Sequence, residues 1–115
     1  MRGGANDAAK PVLHALAAAL LALAGNASAQ TYPTKPIRLI VPFAPGGGVD
    51  FIARGVSIPL SEMLGKAVIV DNRAGGGATI GTETGARSAP DGYTLVVGTS
   101  TSLSVNPGIM KVSYD

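Results

Sequence analysis

Residues 37–65 read IRLIVPFAPGGGVDFIARGVSIPLSEMLG, and their pattern decides the fold. The nearly continuous apolar run at 37–43 is typical of a strand buried on both faces of a parallel sheet. Residues 44–48 form a glycine-rich loop, and from 49 to 64 large apolar residues recur every three or four positions, which predicts an amphipathic helix. Gly65 is expected to end that helix as its C-cap. Strand, loop and helix in this order are the first half of a βαβ unit.

The same unit then repeats along the chain. Residues 67–70 (AVIV) predict a second short strand, 72–78 (NRAGGGA) a second glycine-rich loop, and 79–89 a weaker helix. Residues 94–97 (TLVV) predict a third buried strand, which leads into the hydroxyl-rich stretch at 99–102. We therefore expect an α/β fold with a partial, doubly wound parallel sheet and right-handed crossovers.

Glycine and proline inside the predicted helices oppose helix formation. Gly55 costs backbone entropy, and Pro59 lacks the N–H that would bond to the carbonyl of Gly55. A kink or a break is expected there. Gly81 and Gly85 are expected to interrupt the second helix in the same way.

The loops that follow the three strands are the candidate binding site. In open parallel sheets, ligands lie outside the carboxyl ends of the strands, where loops lead into helices. Glycine lets the backbone approach a ligand, and free N–H groups at a helix start favour a carboxylate or phosphate. The alternative is that Gly46–Gly48 and Gly75–Gly77 are simply tight turns.

Two charged residues beside these loops have two interpretations each. Asp50 lies in the first turn of the first predicted helix, where a carboxylate stabilises the N-terminus by about 0.3–1 kcal/mol. It could instead contact a cationic group of a ligand. Arg73 could attract an anionic ligand, but a structural ion pair with a nearby carboxylate is the preferred interpretation.

Several chemistries are excluded by the residues present. The chain has no Cys, so it has no disulfide, no cysteine-based zinc site and no thiol nucleophile. The glycine spacings match neither a dinucleotide fingerprint nor a P-loop. Ser100 follows a strand, but the second glycine of a nucleophile elbow is missing, so hydroxyls here cap a helix or donate to a ligand. Basic residues are spread singly, which does not indicate nucleic acid. No catalytic residue, metal or cofactor is expected.

The N-terminus has the pattern of a secretory signal peptide. Arg2 and Lys10 precede the apolar run at 12–24, and Ala27-Ser28-Ala29 form a small-x-small cleavage site before Gln30. The run of 13 residues is shorter than the about 20 needed to span a bilayer. A buried alanine-rich helix is the alternative. Because the chain's single histidine lies in this segment, the exported protein would contain none.

Three longer motifs carry a family resemblance. They are YPTKPIRLIVPFAPGGGVDFIAR at 32–54, LGKAVIVDNRAGGGATIGTE at 64–83 and APDGYTLVVGTSTSLSVNP at 89–107. In this order and spacing they closely resemble the N-terminal part of the periplasmic substrate-binding proteins of tripartite tricarboxylate transporters, the Bug/TctC family. The resemblance covers nearly all of the chain after residue 29.

The resemblance implies a two-lobed Venus-flytrap receptor of the periplasmic-binding-protein type II-like class. Such a receptor is not an enzyme; it captures small organic carboxylates, including tricarboxylates and dicarboxylates, and presents them to a membrane permease. Main-chain groups and waters at residues 44–48 and at helix starts would hold the ligand carboxylate, with residues 99–101 on the same rim. The candidate ligand-binding residues are Ala44, Pro45, Gly46, Gly47, Gly48, Asp50, Gly75, Gly76, Thr99, Ser100 and Thr101.

The resemblance also sets the domain organisation. Residues 1–29 are predicted to be a cleavable signal for the periplasm, and 30–115 an incomplete N-terminal lobe of a monomeric substrate-binding protein. With one lobe, carboxylate binding is expected to be weak or absent. Two other functions stay open. One is a stand-alone carboxylate-binding sensory or interaction module. The other is a small secreted α/β enzyme with an acidic residue as its base.

Overall fold

The computed structural model of the protein describes residues 9–24 and 31–114. The chain divides into two units, Met1–Thr31 and Tyr32–Asp115. In the first unit, helix α1 (Ala9–Ala24) covers the apolar run of the predicted signal peptide. The predicted cleavage site and Gln30 lie outside the described residues. Among the described helices, none has the length and apolar character needed to cross a membrane.

The second unit alternates strands and helices. Its elements, in chain order, are β1 (Ile37–Val41), α2 (Gly48–Leu64), β2 (Val68–Asn72), a 3-10 turn (Gly76–Ala78), α3 (Thr79–Ala86), β3 (Thr94–Val96), a π-helical turn (Thr101–Val105) and α4 (Asn106–Ile109). The predicted order of strands, helices and glycine-rich loops is thus confirmed.

The three strands form one parallel sheet in the order β2-β1-β3. The first strand in the sequence, β1, is the central one. The second strand, β2, lies on one side of it, and β3 lies on the other. The predicted α/β fold is confirmed. Several boundaries differ from the prediction. β1 ends before Pro42, which has no N–H to donate to a ladder. β2 instead extends through Asp71 and Asn72, which pair with Ile40 and Val41.

Only the central strand is buried on both faces, so the prediction of a buried third strand is wrong. α2 packs over β1 and β2, whereas α3 packs over β1 and β3. Leu95 of β3 pairs with Leu39, on the face that α2 covers, and is 38% exposed. Ile69 of β2 lies on the opposite face and is 54% exposed. α2 therefore leaves β3 uncovered on its face of the sheet, and α3 leaves β2 uncovered on the opposite face.

Of the kink or break predicted in the first helix, the break is wrong, and the kink stays a prediction. α2 runs without interruption from Gly48 through Pro59 to Leu64, and Gly65 closes it in the left-handed conformation (φ 64°) as predicted. Both Gly55 and Pro59 are exposed. The carbonyl that loses its helical hydrogen bond therefore faces solvent, where water can satisfy it.

The glycines of α3 are contact points between helix and sheet. A Cβ built on Gly81 would lie 2.6 Å from the Cα of Pro42, and one built on Gly85 would overlap the side chain of Val96. These glycines were predicted to interrupt the helix, but α3 continues through both and ends at Ala86, three residues earlier than predicted. Close packing on the sheet offsets their low helix propensity.

Candidate functional site

The three predicted loops meet at one edge of the sheet. In the parallel register, Val41 at the end of β1 pairs with Asn72 at the end of β2, and Ile40 pairs with Val96 at the end of β3. The chain therefore leaves all three strands at the same level. Residues 44–48 and 73–77 are exposed there. α2 begins at Gly48, which was predicted to belong to the loop.

Asp50 holds the first loop in place. Its carboxylate is 4% exposed. Oδ2 accepts hydrogen bonds from the amide of Gly46 at 2.9 Å and from Nε of Arg54 at 3.0 Å. Oδ1 accepts a bond from Nδ2 of Asn72 at 2.9 Å. The Arg54 bond, followed by those from Gly46 and Asn72, lowers the pKa of Asp50 from 3.8 to about 2.

These contacts favour a structural role for Asp50. Both carboxylate oxygens accept bonds from donors of the chain itself, and Asn72 also donates to the carbonyl of Phe43 at 3.1 Å. Asp50 therefore connects the loop after β1 to the end of β2. It lies three residues after the N-cap, Gly47, and accepts a bond from the amide of Gly46, one residue before the amide that the acidic residue of a capping box would reach.

The start of α2 carries amides that no side chain caps. The first intrahelical bond runs from the amide of Phe51 to the carbonyl of Gly47 at 2.9 Å. The amides of Gly48, Val49 and Asp50 precede it, and the N-cap Gly47 has no side chain to accept a bond from them. Exposed amides at a helix start, together with the helix dipole, form a region that favours an anion.

The second loop has an uncommon backbone conformation. Four consecutive residues have positive φ: Gly75 (126°), Gly76 (59°), Gly77 (64°) and Ala78 (77°). Side chains are strongly disfavoured in this region, and Ala78 is the one non-glycine residue with positive φ in the described part of the chain. Ile80 also fills the space beside Gly75, because a Cβ built there would lie 2.6 Å from its Cδ1.

The third loop caps the helical segment that follows β3. The amide of Ser102 donates to Oγ1 of Thr99 at 3.2 Å, and the amide of Thr99 donates to Oγ of Ser102 at 3.0 Å. This reciprocal pair confirms that a hydroxyl of the stretch caps a helix. Ser100 and Thr101 are exposed, and their hydroxyls have no hydrogen-bond partner within residues 31–114.

Arg73 forms an ion pair with Asp71, as the preferred interpretation of the sequence predicts. Its Nε lies 3.1 Å from Oδ2 of Asp71, which also accepts a bond from Nε of Arg38 at 2.7 Å. Partial burial opposes ionisation of Asp71, but the bonds from the two arginines outweigh it and lower the pKa. Arg73 therefore has a carboxylate partner within the chain, which it shares with Arg38.

Three residues that support the loops were not predicted. Arg54 and Asn72 are partners of Asp50, and Asn106 donates from Nδ2 to the carbonyl of Gly77 at 2.7 Å. Asn72 is the first residue of the second predicted loop, and this position is a signal that the sequence offers. Asn106 lies at the end of the third motif, where nothing in the sequence marks it as a partner of the second loop, and only the folded chain brings the two together.

Two cavities lie beside α3. One of about 390 Å³ is lined by Thr79, Glu83 and residues 110–114. Another of about 280 Å³ lies between α3 and the helical segment, beside Val96 and Leu103. Neither cavity is lined by a predicted ligand-binding residue.

A family model described as "Tripartite tricarboxylate transporter family receptor" matches residues 52–115. The chain belongs to this receptor family. The resemblance that the three sequence motifs carry is thus confirmed, and the family is one of receptors rather than enzymes.

Curated relatives in Bordetella pertussis agree with this assignment. The chain is 45% identical over 93 residues to a UPF0065 protein of that organism, covering 81% of this chain and 29% of the relative. It is 48% identical over 92 residues to Protein BugT, covering 76% of this chain and 28% of BugT. The chain thus spans less than a third of the length of these relatives.

Solved structures show the same fold. A periplasmic transporter protein is 48% identical with a TM-score of 0.71, covering 73% of this chain and 29% of that protein. An R. palustris protein with adipate is 39% identical with a TM-score of 0.59, and the match covers 60% of this chain and 23% of that protein. MatC from Rhodopseudomonas palustris with bound malate is 37% identical with a TM-score of 0.57, and the match covers 58% of this chain and 23% of MatC.

Proposed function

We propose that this protein is a periplasmic receptor that captures small organic carboxylates and delivers them to the membrane permease of a tripartite tricarboxylate transporter. The observation that carries the proposal is the group of exposed glycine loops at the carboxyl edge of the sheet, where α2 starts with uncapped amides. Membership of the receptor family and the neighbours with adipate and malate support it.

The ligand carboxylate is held by backbone amides rather than by arginine. Arg54 and Arg73, the basic residues nearest the loops in sequence, are paired with Asp50 and Asp71. The amides at Gly47 and Gly48 have no such competitor among the described side chains. Backbone donors and a helix dipole suffice to bind an anion without a formal positive charge.

The predicted site residues then differ in their roles. Residues 44–48, Gly75 and Gly76 surround the ligand, with the amides of Gly47, Gly48, Gly75 and Gly76 as its donors because the Gly46 amide is bonded to Asp50. The hydroxyls of residues 99–101 lie on the rim. Asp50 acts on the ligand only through the loop that it holds. The site is proposed to bind without catalysing a reaction, in keeping with the receptor family to which the chain belongs.

The proposed location follows from the same reasoning. Removal of residues 1–29 by a signal peptidase releases a protein that starts at Gln30 in the periplasm. The membrane permease receives the ligand from this receptor.

Equilibrium dialysis of the chain against radiolabelled adipate and malate tests the proposal. Adipamide, which replaces both carboxylates of adipate by uncharged amides, is the matched control ligand. Of the weak or absent binding expected of a single lobe, the proposal predicts the former: saturable, weak binding of one or both carboxylates and none of adipamide. Equal retention of adipate and adipamide, or no retention of either carboxylate, would overturn the proposal.

A further inference from the structure

The buried side chain of Asn106 reaches the second glycine loop from a distant part of the chain. Asn106 is 3% exposed, and its Nδ2 donates to the carbonyl of Gly77 at 2.7 Å. A buried amide donor is costly unless it is paired, so this bond is maintained in the folded protein. The loop is thus held by a group outside itself.

Asn106 is itself placed by a rigid local framework. It lies four residues after Ser102, on the same buried side of the helical segment, and Ser102 is fully buried. Ser102 exchanges hydrogen bonds with Thr99, and its carbonyl accepts a bond from the hydroxyl of Tyr114 at 2.8 Å. The donor that faces Gly77 is therefore held in position from two directions.

The bond acts on one peptide group of the turn. The carbonyl of Gly77 and the amide of Ala78 belong to the same planar peptide. Asn106 holds its oxygen, and the carbonyl of Gly75 accepts a bond from its amide at 3.1 Å. Both ends of this peptide are fixed.

Rotation of that peptide would relieve strain at Ala78. Its φ of 77° is unfavourable for a residue with a Cβ, and turning the peptide over would bring φ to a negative, ordinary value. The turn would then lose the bond between Ala78 and the carbonyl of Gly75. That carbonyl shares its peptide with the amide of Gly76, whose orientation would no longer be fixed by this bond. The bond from Asn106 opposes this rotation.

We propose that Asn106 is a positioning residue for carboxylate binding, which it supports by keeping the Gly77–Ala78 peptide in its strained orientation. The inference rests on the proposed function. Asn106 lies outside the three loops and acts on the second of them through its hydrogen bond to the carbonyl of Gly77.

The test compares Asn106→Asp with the unaltered chain. At neutral pH the introduced carboxylate cannot donate to the Gly77 carbonyl and repels it. Backbone ¹³C chemical shifts of residue 78, which report the sign of φ, are expected to change from positive to negative φ in the ligand-free protein. Adipate affinity is expected to fall about threefold to tenfold, the size of one lost hydrogen bond. Asn106→Ala provides the same test without the added charge.

A second substitution distinguishes positioning from general damage. Ala78→Gly removes the penalty for positive φ. Added to Asn106→Asp, it is expected to restore both the shifts of the turn and most of the adipate affinity. Alone it is expected to change little. The matched control is Ser104→Ala, an exposed position on the same helical segment, which should alter neither measurement.

The outcomes separate this inference from the proposed function. Absence of adipate and malate binding by the unaltered chain refutes the proposed function, and the inference with it. The inference alone is wrong if the unaltered chain binds adipate and the Asn106 variants bind it equally well. It is also wrong if residue 78 keeps positive φ in those variants, or if Ala78→Gly fails to restore binding.

Discussion

Gly85 of α3 lies directly against Val96 of β3, with no space between them for a methyl group. Replacing Gly85 by Ala would force the helix away from the sheet or displace a stiff β-branched side chain. We expect Gly85→Ala to lower the free energy of unfolding by about 1–3 kcal/mol, the usual cost of overpacking. Chemical denaturation followed by circular dichroism measures it.

Gly55→Ala is the matched control for that substitution. Gly55 also lies inside a helix, but nothing lies within 4 Å of a Cβ built there. Because alanine has a higher helix propensity, this variant should be more stable by up to about 1 kcal/mol. If Gly85→Ala and Gly55→Ala change the stability in the same direction, Gly85 is not needed for close packing of α3 on the sheet.

Asp50 should make the stability of the protein depend on pH in the acidic range. Its pKa is about 2 in the folded protein, below the ordinary 3.8, so the ionised carboxylate stabilises the folded state above about pH 4. That contribution is lost as the pH falls towards 2. In Asp50→Asn, we expect lower stability at neutral pH and a smaller further loss between pH 4 and 2, measured by urea denaturation at each pH.

Asp91→Asn serves as the comparison for Asp50→Asn. Asp91 forms an exposed ion pair with Lys35 at 3.8 Å, and such pairs contribute little. Its Oδ1 also accepts a hydrogen bond from the amide of Tyr93 at 2.9 Å, which the amide oxygen of Asn can accept as well. This variant should keep the acid dependence of the unaltered chain. An Asp50→Asn variant with that same dependence would contradict the role of Asp50 in holding the first loop.

The hydroxyl of Tyr114 is expected to contribute to stability through its buried bond to the carbonyl of Ser102. Tyr114→Phe leaves that carbonyl without its partner, at a cost of about 1 kcal/mol in the free energy of unfolding. Tyr32 donates to the carbonyl of Gly92 at an exposed site, where water can replace it. Tyr32→Phe should therefore cost less, and the reverse order would refute the importance of the Tyr114 bond.

Export should remove the N-terminal segment. When the full chain is produced in a Gram-negative bacterium, we expect intact-mass analysis of the periplasmic fraction to give a protein that begins at Gln30. Ala29→Asp places a charge at the predicted cleavage site, and the uncleaved chain should then accumulate at the membrane. A periplasmic protein that keeps residues 1–29 would contradict the prediction of a signal peptide.

The alternation of strands and helices was predictable because each element carries its own local pattern. The apolar run of β1 and the periodicity of α2 depend on neighbours in the sequence, as does the glycine that ends α2. Burial of β3 was not predictable in the same way. Leu95 is apolar, but its exposure depends on which strands α2 covers, and that is a property of the assembled sheet.

Glycines have more than one use, and a single sequence does not distinguish them. Gly55 and Gly85 look alike as breaks in a helical pattern, yet one faces open space and the other contacts Val96. The loops of the candidate site were predictable because runs of glycine mark them in the sequence. The residues that hold those loops act across the fold, as when Asn106 bonds to a carbonyl 29 residues away.

The most direct measurement is a titration of the ¹⁵N-labelled chain with adipate, followed by amide chemical shifts. Binding by backbone donors predicts saturable shifts centred on the amides of Gly47, Gly48, Gly75 and Gly76, and no such shifts with adipamide. Shifts centred instead on the cavity beside Leu103, or no saturable shift at the glycine loops, would contradict the account.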